Sequence, residues 1–443
     1  MRICGAAYRF FVGGILRNAL LIFIPSERAR SADEKRLEST ALVADSLKSP
    51  LYWIHASSVG ELESLWNPAL LLAEKTGANG ISARFVLTVF SPSARTRIEA
   101  LATEMSARGA KILYSGYSPF EGRWQRVLAR LKPCQLLTAK YEAWPELWAS
   151  AVEHSVAITV VGARLRRSLQ VAKKFCLVWM RKLPELQFLT SNQTDSDELK
   201  REFPTARVFL TGEPRWDRVQ SRMLQGNAEA QLRVERFKDF PRPWGVFGSA
   251  WTEDFLKWGP TIRKFRGTLW IVPHRVELVY IAEVEKILAH LAITATRTLG
   301  GAADGACGVP VSEPACVLVN EMGFLSELYA HADWAYVGGG FGAGVHSTIE
   351  PAIMGIPLSC GPRSVEKFAE ISELTRAGQL QILSKKADFL EFIETANASS
   401  SVAAEALASR KLQWKSQVLA RMGASETVAR AILGFQAEKD MLA

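Results

Sequence analysis

Between Ala335 and Pro362 the chain reads AYVGGGFGAGVHSTIEPAIMGIPLSCGP, and no other stretch constrains the fold as much. A strand-forming run, Trp334 to Val337, ends in Gly338, Gly339 and Gly340. A helical segment carrying Glu350 and Pro351 follows, stops at Gly355, and gives way to a second strand, Ile356 to Cys360. Strand, glycine loop, helix, strand is a parallel α/β unit, with the loop at the carboxyl end of a strand, where open α/β sheets bind ligands. Glycines let backbone amides approach an anion closely, and a helix start adds partial positive charge. The stretch therefore reads as a phosphate-plus-sugar site for a nucleotide-activated donor. A plain tight connection fits the same glycines. A dinucleotide fingerprint, Gly338-x-Gly340-x-x-Ala343, fits loosely. It needs an acid at the end of the next strand to hold a ribose, and that strand closes on Ser359-Cys360-Gly361 without one.

At 443 residues the chain is too long for one ordinary core, which implies two or three domains. A formal charge of +9 suggests an anionic partner: nucleic acid, acidic lipid or a phosphorylated substrate. No interleaved aromatic and basic motif supports nucleic acid. The six cysteines form no CxxC pair, which argues against a zinc site or disulfide framework and suits a reducing cytosol. The six histidines show no HExxH spacing, so no protein-held metal is expected.

Tyr8 to Ile24 is apolar but broken by Arg9 and Arg17, and basic residues follow at Arg28, Arg30, Lys35 and Arg36. This reads as an interfacial or marginally spanning membrane anchor with the following domain on the cytoplasmic side; a buried amphipathic helix is the alternative. Leu51 to His55 then forms a buried strand, Ala56 to Ser58 a turn, and a helix begins near Gly60 with apolar Leu62, Leu65, Ala69 and Leu70 at helical spacing. Glu61 thus lies in a first helical turn at a strand's carboxyl end, where the positive helix terminus favours its ionised form. A carboxylate so placed is a candidate general base, or else a solvated first-turn glutamate. The βα rhythm continues to Thr211-Gly212-Glu213, pauses over the charged segment Gln220 to Pro243, and restarts at Gly245. Two doubly wound parallel sheets are expected.

The strand-end motifs, in order, resemble those of the lipid A Kdo transferases, which add 3-deoxy-D-manno-octulosonic acid (Kdo) from CMP-Kdo to a lipid A precursor. WIHASSVGE (Trp53 to Glu61) resembles the family's catalytic Ser-Val-Gly-Glu segment, and TGEPRWD (Thr211 to Asp217) its Thr-Gly-Asn turn. IVPHR (Ile271 to Arg275), NEMGFLSELYAHAD (Asn320 to Asp333) and the opening glycine stretch resemble the three donor-side motifs. The resemblance implies a GT-B fold: two Rossmann-like domains facing a central cleft, preceded by an N-terminal membrane-associated helix. The domains would be an anchor over 1–30, an acceptor-binding domain over 31–220, a CMP-sugar domain over 240–420, and a terminal helix, 421–443, packing back on the first domain.

It also implies an inverting transfer with Glu61 as base. Ser249, Pro273, His274, Arg275, Met322, Gly323, Gly339, Gly340, His346, Ser347 and Glu350 would surround the donor, with Glu350 receiving the ribose hydroxyls. Ser58, Gly60, Glu142 and Arg164 would meet the acceptor. A single phosphate leaving group held by dipoles and cations needs no metal or other cofactor. The implied partners are lipid A precursor, CMP-sugar and the cytoplasmic face of the inner membrane, with no nucleic acid and no obligate protein partner. The chain departs from the family pattern where Lys140 replaces an acid and Gly162 an asparagine. Arg166 replaces a serine, Glu213 and Ser347 replace asparagines, and Phe324 replaces an acid. Those departures leave open a transferase using another activated sugar or acceptor, or a non-catalytic lipid-binding relative.

Overall fold

Seven strands alternate with helices between Leu51 and Leu210: β1 (Leu51–Ala56), β2 (Arg84–Val89), β3 (Lys111–Tyr117), β4 (Gln135–Ala139), β5 (Ala157–Val161), β6 (Leu186–Thr190) and β7 (Arg207–Leu210). They form one wholly parallel sheet in the order β3-β2-β1-β4-β5-β6-β7. These details come from a computed structural model, which describes residues 25–44, 49–78, 83–298, 315–396 and 401–442. Both faces of the central strands are buried, which is why β1, β2, β4 and β5 read as nearly unbroken apolar runs rather than alternating ones. Trp53, Trp124, Trp148 and Phe188 fill the core on one face; Tyr52, Ile54, Phe85 and Trp66 fill it on the other. Each aromatic ring among them removes roughly 200 Å² from water, a gross stabilisation of about 5 kcal/mol before ordering costs.

A second parallel sheet is built from β8 (Trp244–Ala250), β9 (Thr268–Pro273), β10 (Ala295–Arg297), β11 (Ala315–Leu318), β12 (Trp334–Val337), β13 (Leu358–Cys360) and β14 (Leu380–Ile382), in the order β10-β11-β9-β8-β12-β13-β14. Its core stacks Phe247, Trp258, Trp334, Tyr336 and Phe389 in tilted and edge-on contacts. The two doubly wound domains are as the sequence indicated. The short edge strands β10 and β14 were not legible in it, and the charged segment after Glu213 is two helices, Arg215–Gln225 and Ala228–Glu235.

Described residues up to Arg218, with those from Met422 onward, make one compact unit; Val219–Arg421 makes the other. The last helix, Ala424–Leu442, lies along Val59–Ala78 and contributes Val428 and Ile432 to the first core. Asp217 anchors its start by accepting the Gly423 amide at 2.7 Å and the Ser425 amide at 2.6 Å. The anchor expected at residues 8–24 lies outside the described residues. Among the described helices, none is long and apolar enough to cross a membrane.

Strand order reverses between β1 and β4 in the first sheet and between β8 and β12 in the second. Loops leaving the carboxyl ends of strands on either side of such a point diverge and open a crevice. In the first unit these loops carry Ser57–Glu61 and Lys140–Trp144; in the second they carry Ser249–Trp251 and Gly338–Thr348.

Candidate active site

The turn after β1 enters the helix Val59–Ala78 through a reciprocal cap between Ser58 and Glu61. Glu61 Oε2 accepts the Ser58 amide at 2.8 Å and the Ser58 hydroxyl at 3.0 Å, while the Glu61 amide reaches Ser58 Oγ at 3.4 Å. This is a capping box, and it fixes the Glu61 carboxylate rather than leaving it to wave in solvent. Among the described residues nothing hydrogen-bonds Glu61 Oε1, which leaves one oxygen available to a substrate proton. Burial, at 6 % exposure, and the nearby Glu142 carboxylate push the Glu61 pKa above the ordinary carboxylate range, against the pull of Ser58 and the Lys140 ammonium.

Glu142, expected to touch an acceptor, is buried, and its Oε1 accepts the Ser57 hydroxyl and the Trp144 indole N–H. His55 Nε2 lies 3.7 Å from the same oxygen, and His55 Nδ1 is 3.0 Å from Thr88 Oγ1. Burial alone would raise the Glu142 pKa, but His55, Ser57 and Trp144 hold it below the ordinary value. Two carboxylates side by side are thus driven apart: Glu142 stays ionised and Glu61 is made more basic. Gly60 has open space except toward Lys140, whose Nζ would stand 3.6 Å from a Cβ there. Arg164, on the loop after β5, has its Nε 3.4 Å from Asp195 Oδ1.

In the second unit, Ser249, Pro273, His274, Arg275, Gly339, Gly340 and His346 converge at the carboxyl ends of β8, β9 and β12. Met322 and Gly323 stand at the exposed end of β11, with the Gly323 carbonyl bonded to Asn227 Nδ2 at 3.3 Å. Ser347 is exposed, and Glu350 holds an ion pair with Arg222 at 3.6 Å. The His274 and His346 rings stack 4.3 Å apart, and Trp251 stacks on His274 at 4.6 Å. Arg275 Cζ lies 5.6 Å from the Trp251 ring.

Trp251 was not singled out by sequence reasoning, although it stands two residues past Ser249 on the same strand end. Its indole N–H donates to His346 Nε2 at 2.8 Å, which assigns the His346 proton to Nδ1. Burial, and then the neighbouring His274, lower the His346 pKa to about 4, so this ring is a neutral N–H donor at physiological pH. Trp251→Phe removes the bond that selects the tautomer. The other tautomer then becomes accessible, and donor affinity is expected to fall about five- to tenfold, the worth of one net hydrogen bond. Nitrogen-15 NMR of labelled histidine reads tautomer and titration together; an unchanged Nε2 resonance in the variant contradicts the assignment.

The glycine loop is tightly bonded within the fold. Its helix, Ile349–Ile353, is only 5 residues long, too short for a substantial dipole. Many of its amides bond within the fold: Gly339 to Asp254 Oδ2 at 2.8 Å, Gly342 and Gly344 to the Gly339 carbonyl, and His346 to the Gly338 carbonyl at 3.2 Å. The glycines allow close backbone approach. A Cβ on Gly338 would lie 2.6 Å from Ala250 Cα, and one on Gly340 would lie 2.5 Å from Gly361 N. Asp254 ties the loop to the next helix start, since its carboxylate also accepts the Trp251 amide at 2.9 Å and the Tyr336 hydroxyl at 2.7 Å. Among the described residues, no group of three or more His, Cys, Asp or Glu side chains is arranged to hold a metal ion.

Two doubly wound domains, each a seven-stranded parallel sheet with a switch point, define a GT-B fold. Two solved structures share that fold: the S. aureus MnaA–UDP structure (TM-score 0.55, 14 % identity, covering 88 % of this chain and 97 % of that one) and a glycosyltransferase from Rickettsia africae (TM-score 0.53, 11 % identity, covering 88 % and 99 %). The profile of the 3-deoxy-D-manno-octulosonic-acid transferase (kdotransferase) family matches residues 28–218. The 3-deoxy-D-manno-octulosonic acid transferase of Chlamydia pneumoniae is 26 % identical over 360 residues, 75 % of this chain and 74 % of that one. The enzyme of the same name from Aquifex aeolicus is 28 % identical over 337 residues, 74 % and 80 % of the two chains. The chain is a divergent relative of this Kdo transferase family.

Proposed function

We propose that this protein is an inverting glycosyltransferase that moves Kdo from CMP-Kdo to a lipid A precursor in lipopolysaccharide biosynthesis. The observation that carries this reading is Glu61, buried, capped and with one open oxygen, within the segment that matches the Kdo transferase family. In the transfer, an acceptor hydroxyl gives its proton to Glu61 Oε1 as its oxygen bonds to the anomeric carbon. The bond from that carbon to the phosphate oxygen breaks, and its electron pair leaves with CMP. The neutral His346 Nδ1–H, His274 and the Arg275 guanidinium are suited to the charge that develops on the phosphate. No step calls for a metal or other cofactor. Glu350 is assigned to the ribose hydroxyls, which requires it to exchange its pairing with Arg222.

The acceptor is an anionic lipid, and one helix of the first domain suits a lipid surface. From His154 to Pro184 the chain has seven Arg or Lys residues and no acid. On the helix Arg167–Trp179, Arg167, Val171, Lys174 and Val178 recur at helical spacing on an exposed face, and Arg181 and Lys182 follow it. Basic residues beside exposed apolar ones fit the headgroup region of a bilayer, consistent with work at the inner-membrane face. At ~1 kcal/mol per cation, replacing Lys174, Arg181 and Lys182 with Gln should weaken binding to phosphatidylglycerol vesicles about 10²-fold at low salt. Flotation that is unaltered by the triple change would remove this face from the membrane contact.

Donor class is tested by calorimetry with CMP and UDP. CMP should bind and UDP should not compete with it. Tighter binding of UDP would instead favour a GT-B enzyme using a uridine-linked sugar.

A further inference from the structure

Two departures from the family pattern, Lys140 and Glu213, are 73 positions apart in sequence but meet the same cluster beside Glu61. Lys140 follows β4 with φ +61°, a left-handed conformation that non-glycine residues seldom adopt. Its amide donates to the Val161 carbonyl at 2.7 Å, and its own carbonyl accepts the Arg164 amide at 3.1 Å. This pinned backbone aims the side chain across β1 toward the Glu61 turn, with Nζ over Gly60. Glu213, on the loop after β7, feels the same ammonium. Its carboxylate is 14 % exposed, pairs with Arg215 Nε at 3.1 Å, and accepts the Ser191 hydroxyl at 3.4 Å and the Ser64 hydroxyl at 3.5 Å. Ser64 stands one helical turn beyond Gly60 on the helix that carries Glu61.

We propose that Lys140 is a positioning residue for the base: its ammonium, shared between Glu61 and Glu213, holds the Glu61 carboxylate ionised beside the Glu142 carboxylate, and Glu213 sets how much of that charge Glu61 receives. This rests on Glu61 being the base. The groups around Glu61 are few enough to name. Its own turn gives Ser58, and the loop after β4 gives Lys140, Tyr141 and Glu142, with His55 of β1 behind Glu142. Tyr141 faces Glu61 on one side and Arg164 and Arg166 on the other. Glu213 and Arg215 reach the cluster through Lys140. Of these cations, Lys140 is the one that acts on Glu61 and Glu213 alike. Without it, Glu61 would face Glu142 with the Ser58 bonds and the helix start to favour its ionised form, and a protonated Glu61 accepts no proton.

The test is the titration of Glu61 itself, read as the infrared carboxylate difference between each protein and its Glu61→Gln counterpart. Lys140→Met should move the Glu61 midpoint upward. Glu213→Gln, which leaves the ammonium to Glu61, should move it downward. The Lys140→Met/Glu213→Gln pair should show non-additive effects, and Lys140→Arg should keep the parent midpoint. In turnover, Lys140→Met should lose more at pH 6 than at pH 9, with little change in the acceptor KM. Midpoints that coincide in the parent and in folded Lys140→Met overturn the proposal, as does a rate loss equal at both pH values. If the parent protein transfers no Kdo, the proposed activity fails, yet the infrared titration still decides whether Lys140 controls Glu61.

Discussion

Glu61→Gln is expected to lose ~10²–10⁴ of the parent's turnover while melting at a higher temperature than the parent at pH 8. The amide keeps the shape and can still accept the Ser58 bonds, so the capping box survives; it cannot take a proton. The stability gain follows from the direction of the Glu61 shift. Burial and Glu142 raise its folded-state pKa above the unfolded value. For such a carboxyl, the protonated form is the one that folding favours. Its stabilisation is present at low pH and disappears as pH rises from the unfolded value, about 4.3, through the raised folded one. Glutamine never ionises, so the melting temperatures should agree near pH 4 and separate toward pH 8. Calorimetric scans over that range check the stability half, and transfer kinetics the other. A variant with parent-like turnover removes Glu61 as base, and one that melts lower at pH 8 removes the claim that its charge is held against a cost.

Gly339→Ala is expected to weaken donor binding strongly, for a different reason. Gly339 has φ +90°, where an L residue is strained by about 1–2 kcal/mol, and a Cβ there would overlap the Gly344 carbonyl oxygen. The Gly344 amide closes this turn onto the Gly339 carbonyl at 2.8 Å, so relieving the overlap opens the turn. With overpacking of roughly 1–3 kcal/mol added, the native loop loses about 2–5 kcal/mol against alternatives. His346 is tied to Gly338 through its amide and moves with the loop. Calorimetry should show CMP affinity lowered at least ~30-fold, as 2 kcal/mol implies. The circular dichroism of the sheets should be retained. Parent-like affinity would mean that loop geometry does not control the donor site.

How much of this was legible in the sequence depends on the range of each interaction. The capping pair Ser58 and Glu61 is local, three residues apart on a strand-to-helix turn, and the strand, turn and helix all read directly from pattern. The long buried strands also read directly because each is a run of apolar residues between turn signals. Strands β10 and β14, of 3 residues each, carry no periodicity and take their shape from a neighbouring strand. The role of Glu142 was invisible because, Trp144 apart, its partners come from β1 and from the turn after it, 85 residues away in the case of Ser57. The Trp251–His346 bond spans 95 residues, and neither residue alone signals it. The glycine loop was placed at a strand's carboxyl end by pattern alone, but glycine content reports that backbone must come close, not whether to a ligand or to another stretch of chain.

The most direct measurement is transfer itself: purified protein, CMP-Kdo and tetraacylated lipid A precursor in detergent, followed by mass. The lipid should gain the mass of Kdo with release of one CMP per sugar, and the rate should rise with pH along a limb lying above the ordinary glutamate range. Folded protein that binds CMP yet yields neither glycosylated lipid nor released CMP would contradict the proposed reaction.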